Sequence, residues 1–581
     1  MSRKKQKSEL RQALGACRGG FAMAAVFSFF INLLNLVSPL YMLQVYDRVL
    51  NSHSTNTLLM LTVLAVGMLL VLALLEFVRN QVLIGISAKM DDTLRSRLFT
   101  AVYERSLRVV RGEGRTQPLS DFNNVRNFLT GNGLFAFFDA PWTPIFLFVI
   151  FMFHPMLGFL ALGGGVILIL LALATEWATR APLEAANMEA MANSQFADNS
   201  LRNIEVLHAM GMLTGVRGRW LAASDRVLDH QARASWRSAM ISSASRFVRI
   251  ALQTLLLGAG AYLTIKGEIT AGYIIASSII VGRALAPIEM TIGSWKSLVM
   301  ARSAFHRLEE LFAAVPAPAE RMPLPRPTGA VTVENVVAVP PGGSAPTLRG
   351  VQFQIEPGEA IGIIGPSAAG KSTLARLLVG VWVPYAGKVR LDGADIANWD
   401  RDNLGPHVGY LPQDVELFDG TVSDNIARFG TVDAGKVIEA AQRAGIHDMI
   451  LRLPNGYDTR IGESGGVLSG GQRQRMGLAR ALYGNPAFVV LDEPNSNLDE
   501  DGERALVQAI RHLKEETCTV VIIAHRPSVL ATVDKVLVLR DGAMQMFGPR
   551  NEVLAKVARP VAAPAPAPAV AGPSSLSAIG G

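Results

Sequence analysis

At 581 residues the chain is too long for one ordinary domain, and half of its residues are hydrophobic, with a mean hydropathy of +0.29. Two cysteines in opposite halves, Cys17 and Cys518, exclude a disulfide framework and a cysteine metal cluster. The net charge of +7 fits Lys and Arg held on one side of a membrane better than a nucleic-acid footprint, because long apolar runs crowd the first half of the chain.

The first twenty residues are short and basic, and the apolar stretch after them lacks a small-residue cleavage site, so it reads as a retained span rather than a removed signal peptide. A span needs roughly 20 mostly apolar residues. Six segments meet or approach that: Phe21–Val45, Thr57–Phe77, Gly133–Phe153, Met156–Trp177, Val248–Ile265 and Ala271–Glu289. The last two are shorter and rich in small residues, which suits close helix packing. Positive charge marks one side. Arg3, Lys4, Lys5, Lys7 and Arg11 precede the first span. Arg79, Lys89, Arg95, Arg97, Arg105, Arg108, Arg111 and Arg115 lie between spans two and three. Arg202, Arg217, Arg219, Arg226, Arg233 and Arg237 lie between spans four and five. The opposite loops, Tyr46–Asn56, His154–Pro155 and Lys266–Thr270, are short. Both termini are therefore expected in the cytoplasm. The two long cytoplasmic stretches, Ser87–Leu107 and Leu183–Leu228, lack proline and carry apolar residues at helical spacing, so they read as extensions of the membrane helices. Within the spans, Asp139 and Glu289 lie near cytoplasmic ends, where an interfacial place is expected. Arg283 is deeper and is the candidate to line a cavity.

A Pro-rich linker follows at 313–328, then a soluble-textured domain at 329–558. The Pro/Ala-rich tail at 559–581 cannot bury a core and is expected to be extended or disordered. The expected architecture is thus a basic N-terminus (1–20), a six-span helical membrane domain (21–312), the linker, and an α/β phosphate-loop domain.

The chemistry of that domain starts at an apolar strand, Gly358–Ile364. It runs into Gly365, Pro366, Ser367, Ala368, Ala369, Gly370, Lys371, Ser372 and Thr373, and then into a helix. Strand, glycine-rich loop and helix N-terminus together make a phosphate cradle, with backbone N–H groups and the helix dipole facing the anion. Lys371 reaches the outer phosphates and Ser372 suits Mg²⁺. A second buried-type strand, Phe488–Leu491, ends in Asp492 and Glu493. Asp492 is placed to hold Mg²⁺ through water, and Glu493 to polarise an attacking water.

Leu468-Ser469-Gly470-Gly471-Gln472 lies between these two motifs. This order resembles the nucleotide-binding domain of ABC ATPases over roughly 329–558. The resemblance implies ATP with Mg²⁺ as cofactors. It makes Gln413 the glutamine that senses Mg²⁺ and His525 the histidine on the γ-phosphate. Ser469, Gly470, Gly471 and Gln472 become the signature that closes over a partner's nucleotide. Asn497-Leu498-Asp499 matches the loop that follows the catalytic carboxylates. One departure stands out: Val336–Pro341 holds no aromatic residue to stack on adenine, and Val339 sits near the expected position.

The membrane half also carries a resemblance. Asn35–Leu58, Phe137–Phe146 and Gly272–Glu289 look like bacterial type I secretion permease/ATPases, in the subfamily that exports alkaline metalloproteases. That resemblance implies a homodimeric half-transporter, multi-pass in the bacterial inner (cytoplasmic) membrane. It exports an unfolded protein with a C-terminal signal and works with a periplasmic adaptor (membrane fusion) protein and an outer-membrane channel. Twenty residues before the first span leave no room for the peptidase domain of some relatives. Leu119–Leu129 and Leu201–Met212 are the segments expected to carry force between ATPase and membrane. A lipid or drug flippase of the same architecture is the alternative. A soluble ABC ATPase acting on nucleic acid is disfavoured by the six spans, and a degenerate regulatory domain by the presence of Lys371, Asp492, Glu493 and His525.

Overall fold

The computed structural model describes residues 9–108, 117–317, 321–462 and 468–558. The basic residues Arg3 to Lys7, Arg111 and Arg115, and the expected extended tail at 559–581, lie outside the described residues. The chain divides into two compact units, Met1–Pro318 and Ala319–Gly581.

Among its described residues the first unit contains six helices long and apolar enough to cross a membrane: Arg18–Ser52, Thr55–Leu107, Gly133–Phe153, Pro155–Leu201, Leu213–Ile265 and Ala271–Ala314. They match the six expected spans. The second has a most apolar window with no buried residue at all, a surface that only lipid or another chain can cover. Two of the six are broken by local chemistry. The first passes from Arg18–Leu34 to Val37–Gln44 and then into a π-helical turn at Val45–Val49. The third is split by a 3₁₀ turn at Ala140–Trp142, where Pro141 and Pro144 remove backbone donors. Helix continues to Ser52, so the expected loop Tyr46–Asn56 shrinks to His53 and Ser54.

The Thr55–Arg108 helix has 54 residues, about 80 Å at 1.5 Å per residue, far more than a bilayer core needs. It contains the expected Ser87–Leu107 extension. The expected Leu183–Leu228 extension is not one helix. Helix ends at Leu201, a short helix follows at Ile204–Ala209, and Gly211 turns the chain at a φ of 65° into Leu213–Ile265. The two long helices then pack antiparallel. At their joined tip Leu201, Ile204, Val206, Met210 and Leu213 are exposed. The other nominated segment, Leu119–Leu129, lies inside the helix Gln117–Thr130. That helix buries Asp121, Phe122 and Val125 against Thr55–Arg108 and Ala271–Ala314. Arg307 grips Asp121 with two hydrogen bonds of 2.8 and 2.7 Å. It is docked within its own unit, unlike the exposed tip at Leu201–Met212.

The second unit is built on a six-stranded sheet. From one edge the strands run Ala543–Pro549, Lys535–Arg540, Ala360–Ile364, Thr519–Ile523, Phe488–Asp492 and Val408–Leu411, and all but the first are parallel. The central strands are continuous apolar runs because both sheet faces are covered, and Phe488–Asp492 and Thr519–Ile523 are buried throughout. A four-stranded antiparallel sheet, ordered Leu348–Ile355, Val331–Ala338, Ala386–Leu391 and Ala394–Asp395, packs its apolar face into the same core. Parallel strands all end on one side, and ligands of such sheets bind beyond those carboxyl ends.

Candidate nucleotide site

Four neighbouring strands deliver the chemistry to that edge. Ala360–Ile364 leads to the phosphate loop, Thr519–Ile523 to His525, Phe488–Asp492 to Glu493, and Val408–Leu411 to Gln413.

The phosphate loop turns through Ala368 at a φ of 64° and Gly370 at 95°, and the helix Lys371–Leu378 starts there. A side chain on Gly370 would strike Leu348 at 2.7 Å and the Thr347 carbonyl at 2.9 Å, so only glycine fits. Lys371 is buried, and its Nζ donates to the carbonyls of Gly365 and Pro366 at 2.8 and 3.0 Å. The loop is curled around its own ammonium, with the cation held where phosphate charge would arrive.

Ser372 donates from Oγ to Asp492 Oδ1 at 3.3 Å. Asp492 is 1% exposed. Burial pushes its carboxyl above the usual carboxylate range. The Ser372 hydrogen bond opposes that, the neighbouring Glu493 adds to it, and Arg376 and Lys371 oppose it. A hydroxyl beside a buried carboxylate is an oxygen donor set that fits Mg²⁺.

Glu493 follows with a left-handed backbone, φ 49°, which is rare for a residue with a side chain. Its N–H donates to the Ile523 carbonyl at 3.0 Å, and its own carbonyl accepts from Gln474 Nε2 at 3.3 Å. The twisted backbone turns the carboxylate out of the strand. There Oε2 accepts from Gln413 Nε2 at 3.2 Å and Oε1 lies 3.7 Å from His525 Nε2. Gln413, Glu493 and His525 therefore meet in one cluster.

The signature begins a helix, Gly470–Leu482, capped by Ser469. Ser469 Oγ accepts from the Gln472 N–H at 3.3 Å, and Gln472 Oε1 accepts from the Ser469 N–H at 2.8 Å. This reciprocal cap uses the Gln472 donor and leaves the first-turn N–H groups of Gly470 and Gly471 for an anion. A Cβ on Gly471 would lie 2.7 Å from the Asn497 carbonyl. The loop after Asp492 and Glu493 thus packs on Gly471, and Asp499 in that loop caps the helix Glu500–Glu515. Gln474 and the Asn497 contact had no signal in the sequence beyond standing beside known motifs.

No aromatic side chain replaces the missing adenine platform in 336–341, and Val339 is half-buried just past the strand Val331–Ala338. In the membrane unit, Asp139 is not simply interfacial. It accepts from Arg79 Nη1 at 3.1 Å and from Asn32 Nδ2 at 3.0 Å, and Arg79 also donates to Ser28 at 2.9 Å. Three spans meet in this buried cluster. Glu289 pairs with Arg249 at 2.8 Å across spans five and six. Arg283 is exposed, with no such partner among the described residues.

Residues 348–496 match the ABC transporter family, and residues 21–284 match the ABC transporter transmembrane region. The chain is 46% identical over 550 residues to the type I secretion system ATP-binding protein PrsD of Rhizobium meliloti (strain 1021), covering 94% of each. It is 29% identical to the leukotoxin translocation ATP-binding protein LktB of Mannheimia haemolytica, over 92% of this chain and 76% of that one. A solved structure described as a bacterial Atm1-family ABC exporter with ATP bound superposes with a TM-score of 0.76 at 26% identity, over 93% of this chain and 96% of that one. The relatives, the six spans and the phosphate-loop site agree: this chain is a multi-span membrane ATPase that couples ATP hydrolysis to export, and it belongs to the ABC transporter family, among the type I secretion ATP-binding proteins.

Proposed function

We propose that the chain energises a type I secretion machine, working as a homodimer in the bacterial inner membrane with both termini in the cytoplasm. Its cargo is an unfolded polypeptide with a C-terminal signal. Its partners are a periplasmic adaptor (membrane fusion) protein and an outer-membrane channel. The observation that carries the reading is the 46% identity to a type I secretion ATP-binding protein across 94% of both chains.

Each nucleotide is held by Gly365–Thr373 of one copy and covered by Ser469, Gly470, Gly471 and Gln472 of the other. Ser372, Asp492 and Gln413 would hold Mg²⁺, which when bound would supply positive charge against the outer phosphates. Glu493 orients the attacking water, and His525 contacts the γ-phosphate. The Gln413–Glu493–His525 cluster supports this division of roles, because it sets a carboxylate between a metal-sensing amide and a phosphate-sensing imidazole.

The test is deletion of the gene followed by proteomics of the culture medium and the cells. A specific secreted protein should vanish from the medium and accumulate inside. An unchanged secretome with altered lipid asymmetry would replace this reading with the flippase.

A further inference from the structure

Arg283, Ala286, Met290, Gly293 and Ser297 are exposed on the helix Ala271–Ala314. At about 100° per residue they fall within about 80° of arc, so they form one stripe. The stripe is not built for lipid. Among the described residues Met290, 37% exposed, is the one large apolar side chain that this helix exposes. The helix Thr55–Arg108 instead shows Leu59, Val63, Leu64, Leu70 and Leu74 at 60% to 73% exposure. A Cβ on Gly293 would meet nothing within 4 Å.

Depth makes Arg283 informative. Counting from Ala271, it lies about 18 Å along the helix, inside a hydrocarbon core of about 30 Å. A cation at that depth belongs against protein or a water-filled cavity. Its own chain does not cover it, and among the described residues Arg283 makes no ion pair or hydrogen bond. The carboxylates within the spans are already paired, Glu289 with Arg249 at 2.8 Å and Asp139 with Arg79 at 3.1 Å. A lipid headgroup would have to sink about 12 Å from the nearer face to reach it. Packing the stripe on its own copy would set Arg283 against Arg283, a like-charge contact that opposes closure.

We propose that this stripe lines a water-filled path through the membrane unit and that Arg283 attracts acidic side chains of the polypeptide in transit. The small side chains at Ala286, Gly293 and Ser297 leave room for an extended chain beside the cation. The cargo class is therefore an unfolded polypeptide with segments rich in Asp and Glu. The polypeptide rests on the export reading above, while the wet, anion-attracting path does not.

The test uses the full chain in nanodiscs with Ala286→Cys as a reporter, since the native thiols Cys17 and Cys518 are buried. Anionic and cationic methanethiosulfonates label the reporter, and mass spectrometry gives the two rates. Ala286→Cys should react, whereas Leu70→Cys on the apolar face of the second span should not. Adding Arg283→Ala should lower the anion-to-cation rate ratio about tenfold at low salt, the effect of a unit charge about 6 Å away on two reagents of opposite sign. Arg283→Lys should keep the ratio high. A short poly-L-glutamate should slow labelling, and poly-L-lysine of equal length should not. An unreactive reporter, or one that instead cross-links copy to copy, would overturn the water-filled path. A ratio unchanged by Arg283→Ala would overturn the role of the charge. Protection by poly-L-glutamate no better than by poly-L-lysine would overturn the acidic cargo. Secretion is not read, so failure here leaves the export reading standing, and failure of that reading leaves the labelling result intact.

Discussion

The role proposed for Glu493, orienting the attacking water, needs a carboxylate held still, and Glu493 is held from both ends. Its backbone is fixed by Ile523 and Gln474, and its carboxylate lies between Gln413 and His525. Replacing Glu493 with Gln keeps the shape and removes the charge. ATP turnover should fall about 10²–10⁴-fold, the usual worth of a positioned base. Nucleotide binding, read by fluorescence titration, should be retained. Near-normal turnover would remove Glu493 from the mechanism. Asp492 supplies a pH test. Burial raises its carboxyl, so its contribution to stability in the ligand-free domain is full at acid pH and is lost as pH rises through the raised value. The Mg²⁺ site proposed at Asp492 would require the ionised form. Lowering pH into the acid range should therefore weaken Mg²⁺-dependent ATP binding in the wild type, and Asp492→Asn should flatten that dependence. Parallel pH curves for the two proteins would contradict the assignment.

At the scale of elements, what could be read in the sequence followed from local rules. A strand, a glycine-rich loop and a helix are neighbours in the chain, so Gly365–Thr373 was legible. Two carboxylates at the end of an apolar strand were equally so. Six apolar runs announced six spans. The rest depended on contacts between residues far apart. Nothing local to Glu493 reveals a left-handed backbone, because it arises where the chain turns toward Ile523. Nothing near Asp139 reveals Arg79, sixty residues away. The helix pattern ran through Leu201–Met212 because the break there comes from Gly211 and a turn, with no proline to announce it. The Arg79–Asp139 pair also makes a quantitative prediction. Arg79→Ala leaves Asp139 buried without its cation and should cost about 3–5 kcal/mol. Arg79→Met combined with Asp139→Leu should cost much less, since two apolar groups then fill the site. Thermal melting in detergent orders the two. Equal loss would mean that the pair is not what joins the three spans.

At the scale of the molecule, the chain carries one phosphate loop, one signature and, among the described residues, six candidate spans, and the proposed homodimer would bring two of each. The signature helix offers the N–H groups of Gly470 and Gly471 and is stiffened by its own cap, while the loop around Lys371 waits for phosphate. In the proposed homodimer, two copies share each nucleotide. The direct measurement is ATP turnover by mixed dimers of Lys371→Ala and Ser469→Arg. Each variant alone should be inactive, because every site contains the defect. Co-assembled, they form one site with an intact phosphate loop facing an intact signature. Turnover well above either variant alone is the predicted result. Turnover in the mixed dimers no higher than in the separate variants, with wild-type dimers active under the same conditions, would contradict the shared site.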